Sequence, residues 1–411
     1  MSDRTGLLNK KRQLRTDRPL WAASPHISVE ASATPAHRDY DVIIIGSGIS
    51  GALMAQALAD GKRRILVVDR REPVRGSTMA STAMIQHEID VPLHQLGKMI
   101  GEKNAAAVWR RSARSVRDLG RLVEDLGIDC MFEKRNTLLL AGDEYGARAL
   151  AEEADTRKAA GLEVDYLKPA ELRQRFELDR TAALLSDCSA SANPAQLTAG
   201  LLIAARTRGV EIVSGVTITD YRETRDGVVL ATSDGRLLSA GDVIACTGYE
   251  FLTEMQHPSH QIVSTWAIAT KPNAPRPAWL KDFLVWEASD PYLYFRSTPD
   301  GRIIAGGEDE ADPKAHLDKD KAKLKFERII KKLEVLLGVE IGKPAYGWAA
   351  PFGTTATGLP IIDKVPGCDH VHCVMGFGGN GITFSKIAAE LLAARLAGKS
   401  DPDANRFLYP A

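Results

Sequence analysis

Glycines at positions 46, 48 and 51, with an aspartate at 69, form the most chemically specific pattern in this 411-residue chain. The segment Gly46-Ser47-Gly48-Ile49-Ser50-Gly51 follows a short β-branched run at 42–45, which suits a strand buried on both faces. In such a turn Gly46 permits the sharp reversal, Gly48 lets a pyrophosphate approach the backbone, and Gly51 lets the next helix pack close. That helix, expected at about 51–60 with Gly61 ending it, offers free N–H groups and partial positive charge to phosphates. A second strand at 65–68 ends in Asp69, followed by Arg70. An acid there accepts hydrogen bonds from ribose hydroxyls and repels a 2′-phosphate. Strand, turn, helix, strand and terminal acid in this order predict dinucleotide binding, and a plain βαβ unit with a glycine turn is the alternative.

Three further stretches carry candidate chemistry. Arg75, Gly76, Ser77, Thr78, Ser81 and Thr82 belong to a small, hydroxyl-rich loop able to reach a cofactor with O–H and N–H donors. Tyr292, Tyr294 and Arg296 alternate along a short strand and share one face. Two phenols and a guanidinium there either line a substrate pocket and hold an anion, or form a solvated face. Near the C-terminus, Gly379, Asn380, Gly381, Ile382 and Thr383 open a second glycine-led helix. No carboxylate stands at metal-ligand spacing from His257 and His260, so no metal site is expected. A G-x-S-x-G nucleophile elbow is also missing.

The order of these pieces resembles a known family. A dinucleotide turn followed by Gly76-Ser77-Thr78-Met79-Ala80-Ser81-Thr82-Ala83 is similar to the FAD-dependent amine and amino-acid oxidases of the D-amino-acid oxidase superfamily, the glycine and sarcosine oxidases among them. Asn193-Pro194-Ala195-Gln196-Leu197 resembles the family's P-x-x-L helix start. Val216 follows the strand that begins at 210–213, and Val243–Gly248, with Thr247 and Gly248 in its turn, resembles the second phosphate-side strand. Gly376–Thr383 resembles the glycine turn whose helix points at the flavin. The likeness implies non-covalent FAD held by Gly46–Gly51, Asp69, Arg70, the 75–82 loop, Val216, Thr247, Gly248 and 379–383. It implies oxidation of a C–N bond, with oxygen or another acceptor taking the electrons. A dehydrogenase of hydroxyl compounds and a low-turnover flavin redox protein are the rival readings. The arginine that clamps the substrate carboxylate in glycine and D-amino-acid oxidases is replaced by Phe352, and the flavin-linking cysteine of sarcosine oxidase by Ala350. His87 is a second-rank attachment point. Asp363 either reaches the ribityl chain or caps a turn.

The elements that must position these residues suggest an α/β (α+β) protein, with a Rossmann-type FAD domain interleaved with an antiparallel-rich, mixed-sheet substrate domain. The FAD domain takes 39–100, 190–254 and 341–411; the substrate domain takes 101–189 and 255–340. Helical periodicity is read at 109–126, 144–160 and 322–337, and strands at 136–141, 261–270, 283–287, 292–297 and 302–306. Trp266, Trp286 and Trp348 are read as core. Residues 1–38 form a basic N-terminal stretch, either a tail or an arm anchored by Leu20 and Trp21 on its own or a neighbouring subunit, which would make a homo-oligomer.

Composition narrows the classes. Basic and acidic residues balance at 53 each, which argues against bulk nucleic-acid affinity. Five scattered cysteines without a C-x-x-C signal neither a disulfide framework nor zinc. With no transmembrane run and no secretory h-region, a cytoplasmic enzyme acting on a small-molecule substrate is expected.

Overall fold

The computed structural model describes residues 8–23 and 27–409. Two sheets share the chain, and each receives strands from several separate stretches. The first has eight strands. Val371–Met375, Leu237–Ala245, Asp39–Ile45, Ile65–Asp69 and Glu211–Ser214 run parallel in that spatial order. Ile361–Lys364 closes one edge antiparallel, and the hairpin Ile218–Thr224/Gly227–Thr232 joins through Leu237–Ala245. Alternation along Asp39–Ile45 divides its side chains between two cores. Val42 and Ile44 face the helices Ile49–Leu58, Pro194–Thr207 and Gly381–Leu396, while Ile43 and Ile45 face the hairpin side. A strand apolar on both faces is what a covered parallel sheet requires.

The second sheet has nine strands, antiparallel except where Phe283–Ala288 lies parallel to Glu133–Ala141. Helix Lys319–Leu337 covers one face, burying Ile329 and Leu333 against Leu293 and Phe295. Two strands from the stretches 39–100 and 341–411 also join this sheet. Tyr346–Thr355 pairs with His260–Ala269 along its whole length, and Met84–Ile85 pairs with Ala183–Ser191.

Element boundaries moved where glycine acts at a distance from the apolar pattern. The helix read from 109 begins at Glu102, directly after Gly101 at φ +86°. The strand read as ending at 306 continues to Glu310, through Gly307 at φ +133° and Glu308 at φ +59°. Pairing with His260–Ala269 shifts register there, between Ser264 and Trp266, as at a β-bulge. Residues 8–23 do not form a free tail. They pack on their own chain, with Leu8, Leu14, Leu20 and Trp21 buried. Residues 1–7 and 24–26 of that stretch lie outside the described residues. Among the described residues no helix is long and apolar enough to cross a membrane.

Candidate active site

The first glycine turn is built as its spacing demands. Gly46 has φ +112°, and a methyl group on it would collide with the Cys246 carbonyl oxygen. One on Gly51 would overlap the Gly46 carbonyl oxygen, and one on Gly48 would stand 3.1 Å from Thr78 Oγ1. Thr78 accepts the Ile49 N–H at 3.0 Å, tying the hydroxyl-rich loop to the helix entrance. Asp69 Oδ2 accepts the Ser47 N–H and O–H, both at 2.7 Å, and its Oδ1 accepts the Arg71 N–H at 2.9 Å. Part of the expected ribose acceptor is therefore used in holding the turn. Arg71 forks onto Glu250 at 2.7 and 2.9 Å and also donates to Arg12 O. Arg70 donates to Asn9 Oδ1, and Arg15 donates to the Arg75 and Gly76 carbonyls. Residues 8–16 thus form a strap over this end of the site, a feature the sequence reading placed no closer than an arm.

The second glycine turn lines the same cavity, which has a volume of about 670 Å³, and the two helix starts are joined by a Ser50–Ser385 hydroxyl hydrogen bond at 2.7 Å. Gly378 has φ +54°, Gly379 donates its N–H to Asp90 at 2.8 Å, and Asn380 Nδ2 donates to Glu88 O at 2.7 Å. Helix Gly381–Leu396 starts there. Gly46, Gly48, Ile49, Ser50, Asp69, Arg70, Gly76, Ser77, Thr78, Ser81, Thr82, Val216, Thr247, Gly248, Gly379, Asn380, Gly381 and Ile382 all face the cavity. Ser47, Gly51, Arg75 and Thr383 stand behind that lining; Thr383, for instance, spends its hydroxyl on Gln86 O at 2.8 Å. The hydroxyl oxygens of Ser77 and Thr247 are buried without a partner. Buried polar atoms are nearly always satisfied, so these two, beside turns that only glycine can line, fit a bound nucleotide cofactor.

Beyond Thr82 the cavity changes character. Tyr292 and Tyr294 stack at 5.8 Å, and Tyr145, Trp286 and Phe352 add aromatic wall. Trp286 is therefore not core as read from sequence: its indole donates to Glu88 Oε2 at 3.2 Å and its ring faces the cavity. Trp266 and Trp348 are fully buried. Arg296 also departs from expectation. It shares a face with the two tyrosines but lies beyond the cavity edge, where it donates to the carbonyls of Thr82 (2.8 Å), Ala192 (2.9 Å) and Ser297 (3.3 Å). Burial pulls its guanidinium down to about 9. Beneath the wall, Arg157 is buried between Glu88 and Glu153, and Glu153 also takes His94 Nδ1 at 2.7 Å. His87 is buried on Cys188 O and away from the cavity, and Asp363 accepts the Tyr409 N–H at 3.1 Å on the C-terminal tail.

Sequence reading missed Asp90 and Asp309. Asp309 Oδ2 accepts the Tyr292 hydroxyl at 2.7 Å, while its Oδ1 is buried beside Thr265. Burial, with the Asp90 charge adding to it, pushes the Asp309 carboxyl up to about 6. Burial also raises Asp90 and the Tyr292 and Tyr294 phenols. The signal for Asp309 was the Gly306-Gly307 pair, which bends the strand and turns the next carboxylates to opposite sides. Glu308 goes to Lys325 and Lys332 beneath the sheet, and Asp309 goes to the cavity.

A cavity lined by two glycine-led helix entrances and by strands of both sheets suits a redox enzyme that holds a dinucleotide by its phosphates and by its reactive ring. The chain belongs to the family of FAD-dependent oxidoreductases, whose model matches residues 41–395. It is similar to the probable oxidoreductase OrdL of Haemophilus influenzae, with 22% identity over 88% of this chain and 84% of that protein. Gamma-glutamylputrescine oxidoreductase of Escherichia coli is 21% identical over 89% of this chain and 85% of its own length. The crystal structure of glycine oxidase from Geobacillus kaustophilus shares the fold, with a TM-score of 0.75 and 20% identity, covering 91% of this chain and 99% of that one.

Proposed function

We propose that the enzyme oxidises a C–N bond of an amine or amino-acid derivative bound against the aromatic wall. The observation that carries this reading is the continuity of the cavity from the first glycine turn, past the N-terminus of Gly381–Leu396, to Tyr292, Tyr294 and Phe352. When bound, FAD supplies a two-electron acceptor for the hydrogen on the carbon next to nitrogen, and oxygen or a separate acceptor takes those electrons onward. The amine loses two electrons and two protons to become an imine, which water converts to a carbonyl compound and a free amine or ammonia.

The chain's residues would divide the work. Gly46–Gly51, Ser77, Thr78, Thr247 and Gly248 hold the pyrophosphate side, with Asp69, Arg70 and Val216 near the adenosine. Gly379 to Ile382 present the positive end of the final helix to charge that builds on the ring. Tyr145, Trp286, Tyr292, Tyr294 and Phe352 exclude water and orient the substrate. Among the described residues, the histidine that lines the cavity is His94, and its Nδ1 is committed to Glu153 at 2.7 Å, which fits an amine that reacts in its neutral form. Non-covalent FAD is supported by Ala350 in the cavity wall and by the seclusion of His87. Cofactor residues fall at 39–100, 190–254 and 341–411, and substrate-wall residues come from 101–189 and 255–340 as well as from Phe352.

The test is a visible spectrum of the purified protein followed by anaerobic titration. Bleaching by amines and not by hydroxy acids is expected. Bleaching by a hydroxy acid alone would overturn the C–N assignment.

A further inference from the structure

The substrate side of the cavity carries charge of one sign. Glu88, Asp90, Glu144, Glu153, Asp309 and Glu310 face it, with Glu287 and Asp290 at its margin. The cations of the lining are Arg70 and Arg71, both beside Asp69 at the nucleotide end, and His94, which is bound to Glu153. Several acids are already neutralised. Arg157 pairs with Glu88 and Glu153, Arg180 with Glu287, and Lys321 and Lys325 with Glu310. Among the described residues, Asp90, Asp309, Glu144 and Asp290 have no ion-pair partner; Asp309 is half-buried, and the other three are exposed.

The inner two are the informative ones. Asp90 has one hydrogen bond, from Gly379 at the entrance of the final helix. Asp309 has one carboxylate oxygen on Tyr292 and the other buried beside Thr265. A partly buried carboxylate is costly, and the Asp90 charge near Asp309 adds repulsion to that cost. A bound cation would relieve both costs. The stacked faces of Tyr292 and Tyr294 and the ring of Trp286 favour a cation as well. An α-carboxylate would find the opposite: no arginine or lysine on this side, Phe352 in the wall, and two acids facing it.

Resting on the C–N reading above, we infer that the substrate is an aliphatic diamine or a longer polyamine with no carboxylate on the carbon beside the reacting nitrogen, one ammonium group seated between Asp309 and Asp90. The unpaired acids at the mouth, Glu144 and Asp290, steer such cations inward.

The experiment compares 1,4-diaminobutane, butylamine, 2-aminobutanoate and 2-hydroxybutanoate as anaerobic reductants of the FAD-loaded full-length protein. The diamine is expected to bleach the flavin with kcat/KM at least about tenfold above butylamine and above either enantiomer of 2-aminobutanoate. Asp309→Asn should lower the diamine value on the order of 30-fold, the usual consequence of removing one side of an enclosed charge pair, while Asp309→Glu recovers most of it. A binding readout accompanies these rates. Propyltrimethylammonium, which cannot be oxidised at this site, should perturb the flavin spectrum of the native protein and fail to do so in Asp90→Asn or Asp309→Asn that remain yellow. Faster bleaching by 2-aminobutanoate, or an Asp309→Asn protein with unchanged preference, would overturn the diamine assignment while leaving C–N oxidation standing. Bleaching by 2-hydroxybutanoate alone would remove both.

Discussion

At the residue scale, Asp309 gives the sharpest pH dependence. The groups facing it are Tyr292, Tyr294, Thr265, Asp90 and, from beneath the sheet, Lys325. Its carboxyl is raised to about 6, with burial the largest cause, so it gains its charge as pH rises through that value. Affinity for a permanently charged ammonium should climb between pH 5 and pH 7, and Asp309→Asn should flatten the profile. The sign for stability is opposite. A carboxyl raised in the folded state favours folding below its ordinary range, and that contribution is lost as pH rises through about 6. Asp309→Asn should therefore be more stable than the native apoprotein at pH 8, by about 1–3 kcal/mol, with the gain shrinking toward pH 4, as read by thermal denaturation at the two pH values. Arg296→Met should do the reverse, losing about 2–4 kcal/mol because three buried carbonyls lose their donor. Its loss of turnover should follow the loss of folded protein. Sequence alternation placed Arg296 on the correct face, but alternation is blind to where a cavity ends along a strand. Gly46 and Gly51 were legible because their reason is local: each lacks room for a methyl group, and Gly51→Ala should yield protein that purifies without yellow colour.

At the element scale, the strap deserves its own experiment because little regular structure holds it. Leu8 donates to Thr219 O at 2.9 Å, Asn9 to Glu250 O at 3.0 Å, Thr16 to Ala349 O at 2.8 Å, and the Trp21 indole to Ser81 O at 2.7 Å. Removing residues 1–18 should leave a folded enzyme that releases FAD at least about tenfold faster, measured as the rise of free flavin fluorescence on dilution. That estimate assumes loss of one to two net hydrogen bonds' worth of cover. Leu20 and Trp21 were readable as anchors because a leucine and tryptophan in a polar stretch need somewhere to go. The path of residues 8–16 was not readable, since it is set by single contacts to distant loops and has no period. The same limit hid the continuation of Ile303–Glu310 past 306, where the flanking strands carry the chain through a bulge.

At the scale of the whole molecule, the cofactor cavity lies where the two sheets meet, so FAD should act as a cross-brace. Thermal midpoints should rise with added FAD, by an amount equivalent to about 2.7 kcal/mol at a hundredfold excess over Kd. Interleaving of the two sheets was an expectation drawn from the family resemblance, which the local patterns allowed but did not dictate. Assignment of Tyr346–Thr355 to the far sheet was not legible, because a strand's partner depends on long-range register and not on its own pattern. One residue spans both halves of this arrangement. Glu88 holds Asn380 through its backbone carbonyl, and holds Trp286 and Arg157 through its carboxylate. On the proposed reading, the helix facing the ring and the wall facing the substrate are thereby bolted to a common post. A Trp286 substitution that breaks its bond to Glu88 should therefore shift the flavin's reduction potential together with the choice of substrate, as read by a redox-dye titration.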